Sequence, residues 1–384
     1  MNMKKLGLGL ATALALAGCS ASGGSGDKVK VGGNFEMSGE IAAYGTPMAN
    51  ALNLAVEQKN ANGGVLSKQI EALVIDNKSD KTEAASVATK LTSENVAGIV
   101  GPAATGMSLA EVPVVQRAKV PAIFPAATGD DITLDASKNV YEYIFRTCFE
   151  DRFQGVAAAN QVYTSMNMKK AVVLTDTGND YSQGLTKSFT ETYTGLGGTI
   201  VANESYASND TDFTAVLTSV KSKDFDVLYI PGYYKEAGLI IKQAREMGIT
   251  QPIVGGDGFA NDTLVQLAGK ENLSNVYYTS HFSVKSEDAD VQSFVKAYTE
   301  KYGSAPDTFA ALAYDATNLL LQAIERAGSA EPTAVAKALA ETKDFKGVTG
   351  SFSMGANHTP VKTALMLEFQ NGEEVKAETI TVKQ

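Results

Sequence analysis

Residues 99–108 read IVGPAATGMS, and this stretch decides the fold prediction. An apolar, β-branched run enters a glycine, four residues follow, and a second glycine precedes Met107 and Ser108. That order is typical of a turn joining a buried strand to the N-terminus of a helix. The nucleotide-binding loop G-x-x-x-x-G-K-[ST] carries a lysine where this chain has Met107. We therefore expect no nucleotide here, and predict that the turn and Thr105 bind a smaller anion such as a carboxylate.

The same alternation of strand and helix extends along the chain. Predicted strands are 29–33, 70–76, 98–101, 122–124, 171–175, 199–205, 226–230, 253–255 and 276–279. Predicted helices are 47–60, 82–92, 153–165, 183–194, 213–221, 236–247, 289–302 and 309–327. Alternation of this kind predicts parallel sheets covered by helices on both faces. It runs once to about Arg146 and again from about Gln154, which predicts two α/β lobes.

The N-terminus has the pattern of an export signal. Basic residues precede an apolar run of about 11 residues, shorter than the ~20 that a spanning helix needs, and L-A-G-C follows. That tetrad closely resembles the bacterial lipoprotein box, so residues 1–18 are predicted to be removed and Cys19 to be lipidated. Residues 19–27 would then be a flexible tether. With Cys19 lipidated, Cys148 has no partner for an internal disulfide.

Composition argues against several classes of function. The net charge is −10 and Lys/Arg residues form no cluster beyond pairs, so no nucleic-acid partner is expected. One cysteine with His281 and His358 argues against a Cys/His metal site, and each histidine is expected to be ordinary, on the surface or hydrogen-bonded. Neither G-x-G-x-x-G nor G-x-S-x-G is present, and no cofactor is predicted.

Ligands in parallel sheets bind beyond the carboxyl ends of the strands. Residues at those places are Thr105, the turn 126–128, Tyr181, Tyr233 and Asp257. The 126–128 turn is expected to resemble the first one, with residues 130 and 131 starting a helix. The two turns offer uncharged hydrogen-bond donors, which suit a carboxylate, and the Asp257 carboxylate suits a cation. Together they would suit a zwitterion. Simpler roles stay open: a helix cap for Thr105, a turn residue for Asp257 and half-buried packing for the tyrosines.

A series of short motifs carries a family resemblance. They are G-x-x-x-M-S-G-x-x-x-x-Y-G at 33–45, N-x-x-G-G-V at 60–65, P-A-A-T at 125–128, F-R-T at 145–147, G-Y-x-x-E at 232–236 and a loosely spaced G-x-x-x-A-N at 255–261. From Val29 to near its C-terminus the chain resembles the leucine/isoleucine/valine-binding branch of the solute-binding proteins of ABC transporters. The resemblance implies a type I periplasmic-binding-protein fold, two doubly wound parallel-sheet lobes joined by a multi-strand hinge. Lobe 1 would contain residues 28–146 plus about 280–350, and lobe 2 residues 147–279 plus about 351–384.

The resemblance also implies roles for single residues. Thr105, Ala126 and Thr128 would hold the ligand α-carboxylate, with Ala127 in the same turn. The Ala126 carbonyl, the Tyr233 hydroxyl and the Asp257 carboxylate would hold the α-ammonium. Walls would come from Tyr44, Tyr181 and Phe309. The family commonly has glutamate at the position of Asp257, so this carboxylate is one methylene shorter, and the chain has no tryptophan. Arg146 is expected to have a structural role near the crossing between lobes.

These features together predict an extracytoplasmic receptor of an ABC importer. It would capture an amino acid, branched-chain or otherwise apolar, by hinge closure and deliver it to membrane permease subunits. The protein is expected to be a monomer, lipid-anchored on the outer face of the bacterial cytoplasmic membrane, and not an enzyme. An alternative is a ligand-sensing receptor of the same fold, for amino acids or short amides, without transport. An enzyme using Asp257 and a tyrosine would need a second carboxylate, a nucleophile or a metal set, which the sequence does not provide.

Overall fold

The fold is described by a computed structural model covering residues 28–380, so the predicted signal peptide, Cys19 and the tether lie outside the described residues. The strands are β1 Val29–Phe35, β2 Ile70–Asp76, β3 Ile99–Val100, β4 Ala122–Phe124, β5 Ile144–Arg146, β6 Lys170–Asp176, β7 Thr199–Tyr206, β8 Val227–Ile230, β9 Ile253–Gly255, β10 Val276–Ser280, β11 Phe345–Gly347, β12 Gly350–Phe352, β13 Ala364–Gln370 and β14 Glu373–Ile380. The helices are α1 Ala42–Ala61, α2 Lys81–Ser93, α3 Thr105–Ala118, α4 Asp151–Asn160, α5 Asp180–Gly195, α6 Thr214–Lys221, α7 Tyr234–Glu246, α8 Asp262–Ala268, α9 Ala289–Tyr302, α10 Thr308–Ala327 and α11 Pro332–Ala340. Within residues 28–380 no helix combines the length and apolar character needed to cross a bilayer.

The first sheet has the order β2-β1-β3-β4-β5, and each neighbouring pair is parallel. Its strand β3 leads into Gly101, whose φ is +101°. A Cβ atom there would lie 2.1 Å from the Asn34 carbonyl oxygen, so the turn after β3 requires glycine. The chain then enters α3 at Thr105, as the stretch 99–108 predicts.

The second sheet has the order β14-β13-β10-β9-β8-β6-β7. Strands β6 to β10 pair in parallel, and their central runs AVVLT and VLYI are buried on both faces, as continuous apolar strands should be. Strands β13 and β14 join the edge antiparallel and were not predicted. β14 reads EEVKAETI and is largely exposed, so it lacks the apolar run used to find the other strands. The prediction of two mainly parallel sheets is confirmed.

Helix ends depend on local capping, and several helices begin earlier than predicted, α1 by the largest margin. The Asp80 and Asn179 side chains accept hydrogen bonds from the first-turn N–H groups of α2 and α5. Helix α1 begins at Ala42, not at residue 47, and contains Pro47. Proline has no N–H to donate to the Ala43 carbonyl, and Asn261 Nδ2 donates to that oxygen at 2.9 Å instead. A residue next to the second sheet therefore completes a helix of the first.

The chain passes between the two sheets more than once. Helix α10 follows the strands β6–β10 in sequence but packs on α1 and contacts β3 and β4. The chain then returns to the second sheet as β13, which pairs with β10. These contacts support the predicted lobes, 28–146 plus about 280–350 and 147–279 plus about 351–384, which we retain as a proposal.

Buried cations tie the crossing segments together. Arg146 is fully buried; its Nη1 donates to the Gly129 carbonyl at 2.9 Å, and its Nη2 lies 3.2 Å from Glu150 Oε1. Lys362 Nζ donates to the Thr147 carbonyl at 3.0 Å. Asp130 does not start a helix, contrary to the prediction; residues 130–133 form a turn, and Asp130 Oδ1 accepts a hydrogen bond from Arg152 N in the first turn of α4.

Candidate functional site

A small cavity lies where the two sheets face each other. Its wall contains seven predicted residues together with three others: Tyr44, Thr105, Ala126, Tyr181, Tyr233, Asp257 and Phe309, then Ala103, Ala104 and Gly258. Most of these residues follow the carboxyl ends of parallel strands in one sheet or the other. Its free volume is about 10 Å³, room for about one water molecule, so a larger ligand would enter only when the two halves of the site move apart.

Aromatic rings form the apolar part of the wall. The Tyr44 ring stacks on Phe309 with centroids 3.9 Å apart, and it meets the Tyr233 ring edge-on at 5.5 Å. Tyr181 stacks on Tyr233 with centroids 5.2 Å apart. Rings packed in this way have little rotational freedom, so the wall holds its shape while presenting hydroxyl groups.

The Tyr44 hydroxyl connects the two halves of the site. It donates to the Gly258 carbonyl at 2.7 Å and accepts from Tyr234 N at 3.1 Å. Tyr44 lies on α1 beside the first sheet, whereas Gly258 and Tyr234 follow strands of the second. Burial raises the pKa of the Tyr44 phenol well above its ordinary value, so the group stays protonated and able to donate.

Asp257 is the buried carboxylate of the cavity. Its Oδ1 accepts a hydrogen bond from the Tyr181 hydroxyl at 2.9 Å, and its backbone N donates to Gln154 Oε1 at 2.7 Å. A Cβ atom on Gly256 would lie 2.2 Å from the Tyr181 oxygen, so glycine is required for this approach. Burial, and secondly the negative charge of Asp257, raises the pKa of Tyr181, which keeps the phenol a donor.

Thr105 keeps a free donor, but the turn before it differs from the prediction. Gly129 N donates to Thr105 Oγ1 at 3.1 Å, which leaves the hydroxyl proton for another acceptor. The N–H groups of Ala103 and Ala104 are not available to a ligand, because they donate to the carboxylate of Glu36. Burial raises the pKa of Glu36 to about 7. The Glu36 carboxylate thus occupies part of the predicted anion site.

Two predicted residues do not reach the cavity wall. The Ala127 carbonyl accepts from Arg146 Nη1 at 3.3 Å. Thr128 is fully buried; its carbonyl accepts from Asp151 N at 2.7 Å, and its hydroxyl has no hydrogen-bond partner among the described residues. Their ligand-binding roles therefore remain predictions.

Sequence reasoning missed the residues that surround Asp257 from behind. Gln154 and Asp151 follow β5, a strand that was not predicted, and His281 follows β10. Inspecting the residues after every strand would have found His281, since β10 was predicted, and would have found Asp151 and Gln154 had β5 been recognised. The expectation of an ordinary histidine holds for His358, whose Nδ1 lies 3.0 Å from the Ile144 carbonyl oxygen. It is wrong for His281, which is buried and has no hydrogen-bond partner within residues 28–380.

Further charged groups lie around the cavity mouth. A wider opening of about 360 Å³ shares Ala104 and Tyr233 with the inner cavity. Across it, Lys81 Nζ lies 2.9 Å from Asp180 Oδ2, joining the first turns of α2 and α5. Both side chains are substantially exposed, so this ion pair contributes little to stability. No group of three or more His, Cys, Asp or Glu side chains within residues 28–380 is arranged to hold a metal ion.

Two mainly parallel α/β sheets with a small polar cavity between their strand ends define a two-lobed ligand-binding protein. Residues 28–374 match the model of the periplasmic binding protein family, and the chain belongs to that family. The predicted type I periplasmic-binding-protein fold is confirmed.

Individual relatives cover almost the whole chain. The Leu/Ile/Val-binding protein BraC3 of Rhizobium johnstonii is 30% identical, with 89% of this chain and 92% of BraC3 covered. The structure of the branched-chain amino acid transporter substrate-binding protein LivJ from Streptococcus pneumoniae, in complex with isoleucine, is 46% identical. It has a TM-score of 0.87, covering 92% of this chain and 99% of LivJ. The leucine-binding protein LivK of Thermotoga maritima is 35% identical with a TM-score of 0.86, covering 92% and 98%.

Proposed function

We propose that this protein is the extracytoplasmic binding component of an ABC importer for apolar, branched-chain amino acids. The observation that carries the proposal is the convergence of one buried carboxylate, the free Thr105 hydroxyl donor and an aromatic wall on one small cavity. Relatives described as Leu/Ile/Val-binding, and the LivJ structure with isoleucine, support this class of ligand.

The two ends of a zwitterion would meet different halves of the site. The Asp257 carboxylate, with the Tyr233 hydroxyl and the Ala126 carbonyl, would accept from the α-ammonium, and the Thr105 hydroxyl would donate to the α-carboxylate. Thr128 would join Thr105 only after a shift, because it stands back from the cavity wall. A buried charge is tolerated only with charge-assisted partners such as these. Burying an aliphatic side chain against Tyr44 and Phe309 would add about 1.5–3 kcal/mol.

Ligand capture would proceed by closure of one half of the site on the other. The Tyr44 hydroxyl bonds to Gly258 and Tyr234 form only when the halves meet, so they favour the closed form. We propose that the closed form is recognised by permease subunits, and that the receptor works as a monomer. A lipid on Cys19 would hold it at the outer face of the cytoplasmic membrane.

Calorimetric titration tests the ligand class. The full chain is unfolded and refolded to remove any carried ligand, then titrated with the amino acids and with short amides. We expect micromolar or tighter binding of leucine, isoleucine or valine, about −8 kcal/mol or better. Asp257→Ala should weaken this binding by at least about 30-fold, since it removes the partner of a buried charge. Asp224→Ala, on an exposed side chain, is the matched control and should leave it unchanged.

Binding of neutral amides alone, or equal affinity in Asp257→Ala and Asp224→Ala, would contradict the zwitterion site.

A further inference from the structure

His281 lies directly behind the proposed ammonium acceptor. It follows β10, its side chain is completely buried, and its Nε2 atom lies 3.6 Å from Asp257 Oδ2. The ring stacks on Phe149 with centroids 3.6 Å apart and an interplanar angle of 20°. This stacking fixes the ring plane, so the edge that carries Nε2 stays directed at the carboxylate.

The protonation state of this imidazole decides what it can do. Burial lowers the pKa of His281 to about 4, so the ring is neutral at physiological pH. A neutral imidazole carries one N–H and one bare nitrogen. Neither nitrogen has a hydrogen-bond partner among residues 28–380, and the carboxylate oxygen is the acceptor that faces Nε2. If Nε2 carries the proton, it can donate to this carboxylate oxygen. If Nε2 is unprotonated, its lone pair faces the negatively charged oxygen and the two atoms repel each other.

Asp257 has a different support at each of its other polar atoms. The Tyr181 hydroxyl donates to Oδ1, and the backbone N donates to Gln154 Oε1. The same Gln154 oxygen accepts a hydrogen bond from the hydroxyl of Thr279, which lies on β10 just before His281. Within residues 28–380, Oδ2 alone among these atoms lacks such a bond; it lies 3.6 Å from Nε2, just beyond hydrogen-bond distance. A short shift of the side chain on ligand binding would complete the set.

We propose that His281 is a positioning residue for ligand recognition: as the Nε2–H tautomer it donates to Asp257 Oδ2 and fixes the carboxylate toward the ligand ammonium. This inference rests on the proposed function, because Asp257 serves as an ammonium acceptor only there. The ring also fills the space behind a carboxylate that is one methylene shorter than glutamate. His281 therefore acts through Asp257 and determines how strongly an amino group is preferred.

The tautomer can be measured without any ligand. The chain has two histidines, so the full chain labelled with ¹⁵N-histidine gives two ring spin systems in a long-range ¹H–¹⁵N correlation spectrum, and His358→Gln assigns them. We expect His281 to show the Nε2–H pattern at pH 7 and to stay neutral down to pH 5. The Nδ1–H pattern, or a ring that becomes charged near pH 6.5, would overturn the inference.

Affinity then tests the positioning role. Isoleucine is compared with 3-methylpentanoic acid, which is isoleucine without its amino group. His281→Leu should weaken isoleucine binding by about 10- to 100-fold, the range for losing a hydrogen bond to a charged group, and leave the deaminated acid unchanged. His281→Gln, which keeps a donor, should restore most of the affinity, and His281→Leu should cost nothing further in Asp257→Ala.

The two proposals fail in distinguishable ways. No amino-acid binding by the wild type, with the Nε2–H pattern present, would remove the proposed function and leave the His281–Asp257 pair. Isoleucine binding that depends on Asp257 but is the same in His281→Leu would overturn the positioning role alone.

Discussion

Replacing Tyr44 with phenylalanine separates closure of the site from stability of the fold. The change removes one hydroxyl and keeps the ring that stacks on Phe309. Two contacts are lost, the 2.7 Å bond to the Gly258 carbonyl and the 3.1 Å bond from Tyr234 N. Both join elements of the first sheet to elements of the second. In the open form, water would hydrate these groups in wild type and variant alike.

The expected cost falls on the closed, ligand-bound form. Leaving two buried backbone groups without the hydroxyl costs about 1–3 kcal/mol, which corresponds to about 5- to 150-fold weaker binding. The free energy of unfolding without ligand should change by less than about 1 kcal/mol if the open form dominates there. Calorimetric titration with isoleucine gives the first quantity, and denaturant unfolding of the refolded protein gives the second.

Tyr302→Phe is the matched control. The Tyr302 hydroxyl donates to the Asn50 carbonyl at 2.7 Å, joining α9 to α1 on the same side of the cavity. Its loss should lower the free energy of unfolding by about 1 kcal/mol and leave affinity within twofold. The reasoning is refuted if Tyr44→Phe binds isoleucine as tightly as wild type, or if its only effect is the loss of stability expected for Tyr302→Phe.

Three further predictions follow from buried groups and from the N-terminus. Folding raises the pKa of Glu36 from 4.5 to about 7, so as the pH rises this carboxyl ionises in the unfolded chain before it ionises in the folded protein. The free energy of unfolding should therefore fall between pH 4.5 and 7, by at most about 3 kcal/mol. Glu36→Gln should flatten that part of a stability–pH curve measured by denaturant titration; an unchanged slope would contradict the assignment. Arg146→Met should destabilise the fold by about 3–5 kcal/mol, since it leaves the Ala127 and Gly129 carbonyls and Glu150 without their buried donor; a shift in unfolding free energy below 1 kcal/mol would mean that water replaces the guanidinium. Cys19→Ala should move the protein from the membrane fraction to the soluble fraction of fractionated cells, and continued membrane association would argue against a lipid on that residue.

Much of the fold could be predicted from the sequence because strands and helices here have strong local patterns. AVVLT and DVLYI are continuous apolar runs, and they form central strands of the second sheet. Helix α9 has the predicted bounds, since Asp288 caps its start and Gly303, with φ +79°, ends it. Prediction failed where the local pattern was weak or misleading. β14 is charged and exposed and was missed. Pro47 is typical of the first position of a helix, so the start of α1 was predicted there instead of at Ala42.

The candidate site divides in the same way. Rules about strand ends gave Thr105, Tyr181, Tyr233 and Asp257, because parallel strands place their carboxyl ends on one edge whatever the rest of the chain does. Phe309 came only from the family resemblance, since nothing local in a helix start predicts that its ring will stack on Tyr44.

The sequence by itself determined the alternation of strands and helices, the family, and the residue types available for a zwitterion. Only the tertiary structure decided that Glu36 occupies the N–H groups of Ala103 and Ala104, that Ala127 and Thr128 stand back from the cavity, and that His281 lies behind Asp257. The physical reason is that periodicity and capping are local, whereas these contacts join residues far apart in the chain. Their partners are set by how the two sheets and the crossing segments pack together.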